Sequence, residues 1–506
     1  MNYHFITFMV LLPFFGALAQ ALLSGAGQGK GMISARWIAL GASVASSLCA
    51  IALVVLMQPG LSELQATEVL PWVGSYAISY DMGIDGLNVL LVLLIAVVFP
   101  LLITAEWNQK NSVRGMYGLL LVLQSSLFGV VCAQDLFLLF FFWALSALPF
   151  YFLIGIWGGA GRESAAFRSI VAAAIGNALL FAALVLIYYA VDPHTFSIHE
   201  LSGGKLVQKT FTLLGYDLPV GNVAFGLIGL GLALRAPIWP LHGWFTHAAK
   251  EASSTVFVAL CIASVLVSIY VFIRLSYSLF PEVVSQAAEG ILIVGIVNLL
   301  IGGVCAAAQK GLRLLLAFVC MSEVGLILMG ISSLNPAGVV GAVYQQLSLG
   351  LALCGFGLFS GLVIERTGEA QFLNEKGEAG FGGIAARAPA MALMVGVIVA
   401  SLLGFPGFGG FVGHALMMIG SYSIHPMALI IAVSAFLLAT YYLLMMYRHV
   451  FLGATTGGTA SFSDLTFRER AYLLPIVGCL LAFGLYPKPL LELVRPTVLT
   501  LLSTIK

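Results

Sequence analysis

Long apolar runs separated by short polar segments dominate this chain. A run of about 18 or more apolar residues is long enough for a helix to cross the hydrocarbon core of a bilayer. The runs predict an all-α integral membrane protein with about 14 transmembrane helices. The predicted spans lie near residues 4–23, 37–57, 84–105, 115–132, 136–157, 165–191, 222–246, 252–279, 285–308, 312–333, 338–364, 390–417, 424–447 and 470–486.

The composition agrees with this pattern and excludes several classes of function. Of the 506 residues, 61% are hydrophobic and 8% are charged, whereas soluble domains carry about 25% charged residues. The net charge of +1 gives no indication of a nucleic-acid partner. The seven cysteines form no CxxC pair, and no phosphate loop, metal cluster or nucleophile–base pair is present. The sequence therefore predicts no metal, no cofactor and no catalytic residue.

Lysine and arginine are unevenly divided between the two sets of alternating loops. Loops that follow odd-numbered spans hold 15 of them, the opposite loops and the C-terminal segment hold 6, and Arg235 falls within a span. Because cytoplasmic loops are enriched in these residues, we expect a multi-pass protein of the cell inner (plasma) membrane. Both termini are expected on the non-cytoplasmic side.

Two predicted spans contain proline at membrane depth. GLALRAPIWPLHGWF contains Pro237 and Pro240, and ASLLGFPGFGGFVGH contains Pro406, 169 residues after Pro237. Proline removes a backbone donor and frees carbonyl groups. The prolines could simply kink two packed helices. Because interruptions at corresponding places in two halves are typical of inverted repeats, we instead predict two inverted five-helix repeats, each containing a broken helix.

The predicted repeats divide the single membrane domain, residues 1–506, into four parts. Residues 1–112 hold three N-terminal helices, 113–280 the first five-helix repeat and 281–450 the second. Residues 451–506 hold a C-terminal helix and an interfacial tail.

Six ordered segments resemble the NuoM-type, antiporter-like membrane subunit of respiratory complex I, and the sequence is compatible with a diverged or additional copy of it. Related subunits occur in Mrp-type antiporters, energy-converting hydrogenases and inorganic-carbon uptake complexes. The segments are YDMGIDGLNVLL (80–91), FFFWALSALPFYFLIGIWGG (140–159), RAPIWPLHGWFTHAAKEA (235–252), QKGLRLLLAFVCMSEVG (309–325), GAVYQQLSLGLALCGFGLFSGLVIERTG (341–368) and FPGFGGFVGHA (405–415).

The resemblance implies a non-catalytic subunit of a proton-translocating NADH:quinone oxidoreductase of the respiratory chain, a translocase. Its partners would be other membrane-arm subunits and the lipid bilayer. Such subunits bind no nicotinamide, flavin, iron–sulfur cluster or quinone themselves. They are associated with proton transport through ionisable side chains at mid-membrane depth, coupled to quinone reduction elsewhere in the complex.

This chain differs from the family at each position of that row of side chains. A proton relay needs groups with a pKa near neutrality, which carboxylates, histidines and lysines can reach and arginine cannot. In the first half, the resemblance places Ala144 at the family's glutamate on the fifth helix, Arg235 at its lysine on the seventh and Leu266 at its lysine on the eighth. In the second half, it places Glu323 at the histidine of the tenth helix and Leu349 at the histidine of the eleventh. His414 falls on the acidic or lysine position of the twelfth helix.

Two hypotheses follow from these differences. Either the subunit has become structural and moves no protons, or a rearranged relay passes through Arg235, Glu323 and His414, because charged residues within spans are costly and usually functional. We expect Glu323 and His414 to be buried at mid-membrane depth, within one water of each other.

Three single polar residues and one neighbouring pair remain to be interpreted. His242 could pass protons or cap carbonyls freed by the helix break. Lys250 and Glu251 could join a proton pathway or lie in a solvated loop. Asp85 is expected at a helix N-cap in preference to a proton access point, and Asp135 is expected to be another cap.

Overall fold

The computed structural model describes residues 4–22, 30–109, 111–204, 206, 209–213, 216–373, 381–453, 459 and 462–505. Four cations used to predict orientation, Lys110, Lys205, Lys376 and Lys506, lie outside these residues.

Helices dominate the described part of the chain. The first ten are α1 (Phe5–Leu22), α2 (Lys30–Leu56), α3 (Val89–Ala105), α4 (Val113–Cys132), α5 (Leu136–Leu145), α6 (Ala147–Trp157), α7 (Arg162–Ala190), α8 (Ile198–Leu201), α9 (Val220–Arg235) and α10 (Gly243–Glu251). The others are α11 (Ser254–Leu260), α12 (Val267–Phe272), α13 (Pro281–Ala307), α14 (Leu312–Ser332), α15 (Pro336–Thr367), α16 (Pro389–Leu402), α17 (Gly409–Tyr422), α18 (Pro426–Tyr447), α19 (Phe467–Leu485) and α20 (Lys488–Ser503).

Two antiparallel hairpins connect helices outside the bundle. In the first, β1 (Gln65–Val73) pairs with β2 (Ile78–Ile84). In the second, β3 (Thr210–Leu213) pairs with β4 (Tyr216–Pro219).

Eleven helical segments among the described residues are long and apolar enough to cross a membrane, or 12 if the pair α19 and α20 counts as one bent span. The sequence pattern predicted about 14. The difference lies in α9 and α16, which are apolar but too short to count because each stops where a predicted broken span is interrupted.

The core lies around two segments that are almost completely covered by other helices. One runs from Ser254 to Tyr277, through α11, α12 and the π-helical turns Cys261–Leu266 and Ile273–Tyr277, and the other is α15. Their most apolar windows are 94% and 89% buried, against 28% for Pro426–Leu452 at the periphery. An apolar helix with so much exposed surface requires lipid or a protein neighbour around it.

Local polar contacts fix the helix ends. The carboxylate of Asp135 accepts hydrogen bonds from the amides of Phe137 (2.9 Å) and Leu138 (3.0 Å), so the predicted cap at the start of α5 is confirmed. The N-cap of α3 is Asn88 rather than Asp85. Asp85 instead accepts from the amides of Leu87 and Asn88 in the turn before that helix.

The C-terminal helix α20 bends by 69° from α19. It packs over the turn that contains Asp85, where the Gly86 amide donates to Thr497 Oγ1 at 3.1 Å. A side chain on Gly86 would overlap this helix, because a Cβ there would come within 2.6 Å of Thr497 Oγ1.

Candidate functional site

The first helix break separates α9 from α10. A side chain from the second half of the chain provides one hydrogen-bond acceptor for the backbone at this break. The Trp239 amide donates to Asn298 Oδ1 at 2.9 Å. Asn298 is fully buried and donates in turn to the Met321 carbonyl at 2.8 Å. The break after Arg235 is therefore connected to α13 and α14. Asn298 was not among the residues predicted from the sequence, where it is a single amide within an apolar run.

Arg235 is the last residue of α9 and is 1% exposed. Its guanidinium lies 4.2 Å from the ring centroid of Trp143, and its Nη2 donates to Ser146 Oγ at 3.1 Å. Nη1 makes a longer bond of 3.4 Å to Asn177 Oδ1. Among the described residues, no carboxylate lies within ion-pair distance of it. Neutral dipoles, an aromatic face and the C-terminal end of a helix therefore stabilise this charge.

Leucines stand at two of the positions that the sequence analysis assigned to the family's proton relay. Leu266 lies in the π-helical turn before α12, Leu349 lies in α15, and each is at most 1% exposed. Gly350 allows Leu266 and Leu94 to pack close to α15, since a Cβ at Gly350 would lie 2.9 Å from Leu266 Cδ1. The side chains at these two positions cannot carry a proton.

The second helix break separates α16 from α17 and is built with glycine. Gly404 and Gly407 have φ values of +58° and +95°, which favour glycine over residues with a Cβ. The Gly410 amide donates to Ser401 Oγ at 3.3 Å, which partly replaces the missing helical bonds. Pro406 lies within this turn.

Glu323, Gln345 and His414 form a polar cluster beside the second break. His414 Nε2 lies 2.9 Å from Glu323 Oε2, and the Gln345 amide nitrogen donates to the same oxygen at 2.9 Å. The His414 and Glu323 side chains are 4% and 13% exposed. Glu323 and His414 are thus in direct contact, within the one-water separation that the sequence analysis predicted. The Gln345 amide nitrogen, which can only donate, also lies 3.0 Å from His414 Nε2, so its two hydrogens can serve both the carboxylate and the imidazole.

Three buried polar atoms near this cluster lack a hydrogen-bond partner among the described residues. They are Gln345 Oε1, His414 Nδ1 and Ser348 Oγ. Each faces a glycine at the second break, because a Cβ on Gly413, Gly404 or Gly409, respectively, would collide with that atom. Buried polar atoms without a partner are costly, so the second break combines titratable groups with unused hydrogen-bonding capacity.

A buried ion pair that the sequence did not predict joins Asp85 to Arg274. Two bonds of 2.7 Å connect the guanidinium with the carboxylate, and the side chains are 5% and 7% exposed. Arg274 Nε also donates to the hydroxyl of Tyr270 at 3.1 Å. Because Arg274 lies near the end of an apolar run, sequence analysis assigned it to a loop. Its distance of 189 residues from Asp85 left no local signal for the pair.

The remaining candidate residues lie apart from these clusters. His242 packs edge-on against Phe318, and its buried Nδ1 has no hydrogen-bond partner among the described residues. Lys250 is exposed. Glu251 Oε2 accepts from the Gly161 amide at 2.8 Å just before α7, so this carboxylate helps to hold the connection between α6 and α7.

The fold and these sites define a class of protein: a polytopic helical membrane protein with two interrupted helices, each next to buried charged side chains. Proteins of this class commonly move ions. The family model described as "NADH:quinone oxidoreductase/Mrp antiporter, TM" matches residues 133–439. The chain belongs to this family, as a NuoM-type antiporter-like subunit.

Individual relatives agree with this assignment along nearly the whole chain. Subunit M of the NADH-quinone oxidoreductase of Rhodobacter capsulatus is 29% identical over 96% of this chain and 95% of its own length. NAD(P)H-quinone oxidoreductase chain 4 1 of Nostoc sp. is 33% identical over 96% and 89%. A chain of respiratory complex I from Thermus thermophilus has the same fold, with a TM-score of 0.86 and 23% identity over 99% of this chain and 100% of that chain.

Proposed function

We propose that this chain is a membrane-arm subunit of a complex I-type NADH:quinone oxidoreductase in which the usual proton relay does not connect the two halves. The observation that carries the proposal is the set of groups between the breaks. Arg235 is charged but has no carboxylate partner among the described residues, and Leu266 and Leu349 fill the core beyond it.

The chemistry of these groups argues against transfer along the family's route. A relay site must release and rebind a proton within the working pH range. Arginine holds its proton because its pKa exceeds 12, and a leucine side chain has no exchangeable proton. The subunit would then stabilise the membrane arm without completing a proton path between its halves.

The same proposal includes the full transmembrane architecture. Counting α9 with α10 and α16 with α17 as two interrupted crossings adds two spans to the 12 obtained with the bent C-terminal pair. This supports fourteen crossings, two inverted five-helix units at residues 113–280 and 281–450, and both termini on the non-cytoplasmic side.

The test is the number of protons translocated per NADH oxidised by the assembled enzyme in proteoliposomes. We expect Glu323→Gln and Arg235→Met to leave this ratio unchanged, because neither residue belongs to a complete relay. The rate of NADH:quinone reduction and the subunit composition of each preparation serve as controls for assembly. A lower ratio in both variants at normal assembly would contradict the proposal.

A second candidate function is proton exchange confined to the second half. The direct contact of Glu323 with His414 specifically favours it, since a carboxylate and an imidazole are side chains of the types that relay protons. In that case Glu323→Gln alone would lower the proton ratio, and Arg235→Met would not.

The type of assembly needs a separate measurement. We expect the tagged chain, purified with its natural partners, to carry NADH:quinone reductase activity. A particle that exchanges cations for protons without oxidising NADH would instead indicate an Mrp-type assembly.

A further inference from the structure

A cavity of about 300 Å³ lies between the two halves of the chain, at the face where α10 ends and α14 begins. Its lining includes Lys250, Lys310 and Arg313, together with the amide side chains Gln309 and Gln371. The described residues that line it include no carboxylate. Three cations around one small cavity form a strongly electropositive site.

The nearest described acid is engaged elsewhere. Glu251, which follows Lys250, accepts a hydrogen bond from the Gly161 amide at 2.8 Å. Among the described residues, no carboxylate lies within ion-pair distance of Lys250 or Arg313. Arg313 Nε is buried and has no hydrogen-bond partner there either. The Arg313 guanidinium therefore has hydrogen-bonding capacity that the described residues do not use.

The backbone around the cavity adds to its preference for anions. The cavity lies at the start of α14, a helix of 21 residues whose N-cap, Gly311, makes no side-chain capping bond. The positive end of the helix dipole and its first amides therefore point toward this region. Gly311 pairs with Gln371 in an isolated antiparallel bridge, and the Leu312 amide donates to the Ala370 carbonyl at 3.2 Å. These bonds connect the start of α14 to residues 370–371, which form two walls of the cavity.

We propose that this cavity binds a phosphate group, carried either by the headgroup of an anionic lipid or by a free phosphate compound. Guanidinium forks, ammonium groups and helix amides are the usual ligands of phosphate. The cavity has room for a phosphate-bearing headgroup, and basic pockets between transmembrane helices commonly recognise anionic headgroups. It also lies on the cation-rich side of the chain that the sequence assigns to the cytoplasm. An acidic protein segment is disfavoured because a volume of about 300 Å³ has room for only a small group.

The test compares lipid and phosphate binding by the full-length chain in nanodiscs. One preparation contains phosphatidylcholine alone, and the other contains equal amounts of phosphatidylcholine and phosphatidylglycerol. Native mass spectrometry counts the retained lipids, and calorimetric titration with inorganic phosphate is performed in the phosphatidylcholine discs. The double variant Lys250→Gln/Arg313→Gln removes two cations from the cavity.

A matched control removes the same charge from the same face of the molecule. Arg387 and Arg470 are exposed and do not line the cavity, so Arg387→Gln/Arg470→Gln tests for a general effect of charge. Loss of two cations near a lipid headgroup is expected to weaken retention of phosphatidylglycerol by roughly 30-fold. The control should bind like the wild type. Arg313→Lys, which keeps the charge, should retain most of the binding and would show that loss in the double variant does not reflect misfolding.

The outcomes separate the sources of phosphate. Selective retention of phosphatidylglycerol that the cavity variant loses supports a lipid headgroup. Saturable binding of inorganic phosphate that the same variant loses supports a free phosphate compound. Binding of neither, or equal losses in the cavity variant and the control, would overturn the proposal. An acidic segment of a neighbouring protein would then become the better candidate.

Discussion

The two halves of this bundle place different chemistry beside their interrupted helices. In the first half, the buried cationic side chains are Arg235 and Arg274, and the break contains two prolines. In the second half, the groups beside the break are a carboxylate and an imidazole, Glu323 and His414, and the break is built with glycine. One architecture therefore holds buried arginines in its first half and a glutamate–histidine contact in its second.

The two arginines of the first half also differ from each other. Arg274 has a carboxylate partner with two bonds of 2.7 Å, whereas Arg235 has an aromatic ring and neutral dipoles. Breaking a buried ion pair leaves one charge without compensation, which costs more than losing neutral contacts. The two positions therefore allow a direct comparison of paired and unpaired buried charge.

The largest expected effect is that of Arg274→Met. It leaves Asp85, whose side chain is 5% exposed, without its partner, and we expect the free energy of unfolding to fall by about 3–5 kcal/mol. Reversible denaturation of the purified protein in mild detergent provides the measurement.

The matched control for that experiment is Arg235→Met. It removes an arginine of similar burial, but no described carboxylate is left unpaired, so the loss should be clearly smaller. Equal losses in the two variants would show that the Asp85–Arg274 ion pair stabilises the fold no more than the neutral contacts of Arg235 do.

A smaller effect is expected at the polar cluster of the second half. Glu323→Gln, His414→Ala and the double variant form a cycle that isolates the contact of 2.9 Å between them. We expect a coupling energy of about 2 kcal/mol, because charge-assisted hydrogen bonds are stronger than neutral ones. The measurement is the same denaturation series. A coupling near zero would mean that the contact has no energetic consequence and would remove the main support for proton exchange in this half.

The sequence predicted the features that depend on local pattern. Span positions followed from apolar runs, because a bilayer crossing requires about 20 such residues. Both interruptions followed from Pro237, Pro240 and Pro406, and the cap at Asp135 followed from its place before an apolar run. The family motifs brought Glu323 and His414 together as candidates, although 91 residues separate them.

Contacts across the bundle could not be predicted in this way. Asp85 and Arg274 each have a plausible local role, as a cap and as a loop cation, and only the packing of α3 against the run 254–277 makes them partners. Asn298, Gln345 and the cationic cavity were missed for the same reason. Polar residues within apolar runs show where a partner is needed, but the partner lies on another helix.

The smallest expected effects on the free energy of unfolding come from replacing a glycine by alanine in each half. The two substitutions compare how closely glycine is packed in α9, before the first break, and in α17, after the second. A Cβ at Gly226 in α9 would meet nothing within 4 Å, whereas a Cβ at Gly413 in α17 would collide with Gln345 Oε1. Gly226→Ala should therefore raise the free energy of unfolding by about 0.5–1 kcal/mol, since alanine is the better helix former. Gly413→Ala should lower it by about 1 kcal/mol, at the small end of overpacking costs, because the flexible Gln345 side chain can yield.

The Gly413 variant also tests whether Gln345 supports the Glu323–His414 contact. If it does, displacement of the Gln345 amide should reduce the coupling energy between Glu323 and His414 when the cycle is repeated in the Gly413→Ala background. The Gly226→Ala background should leave that energy unchanged, because Gly226 lies in the first half. The same coupling energy in both backgrounds would show that the glutamate and histidine hold each other without the amide. The chemical difference between the two halves would then depend on the Glu323–His414 pair alone.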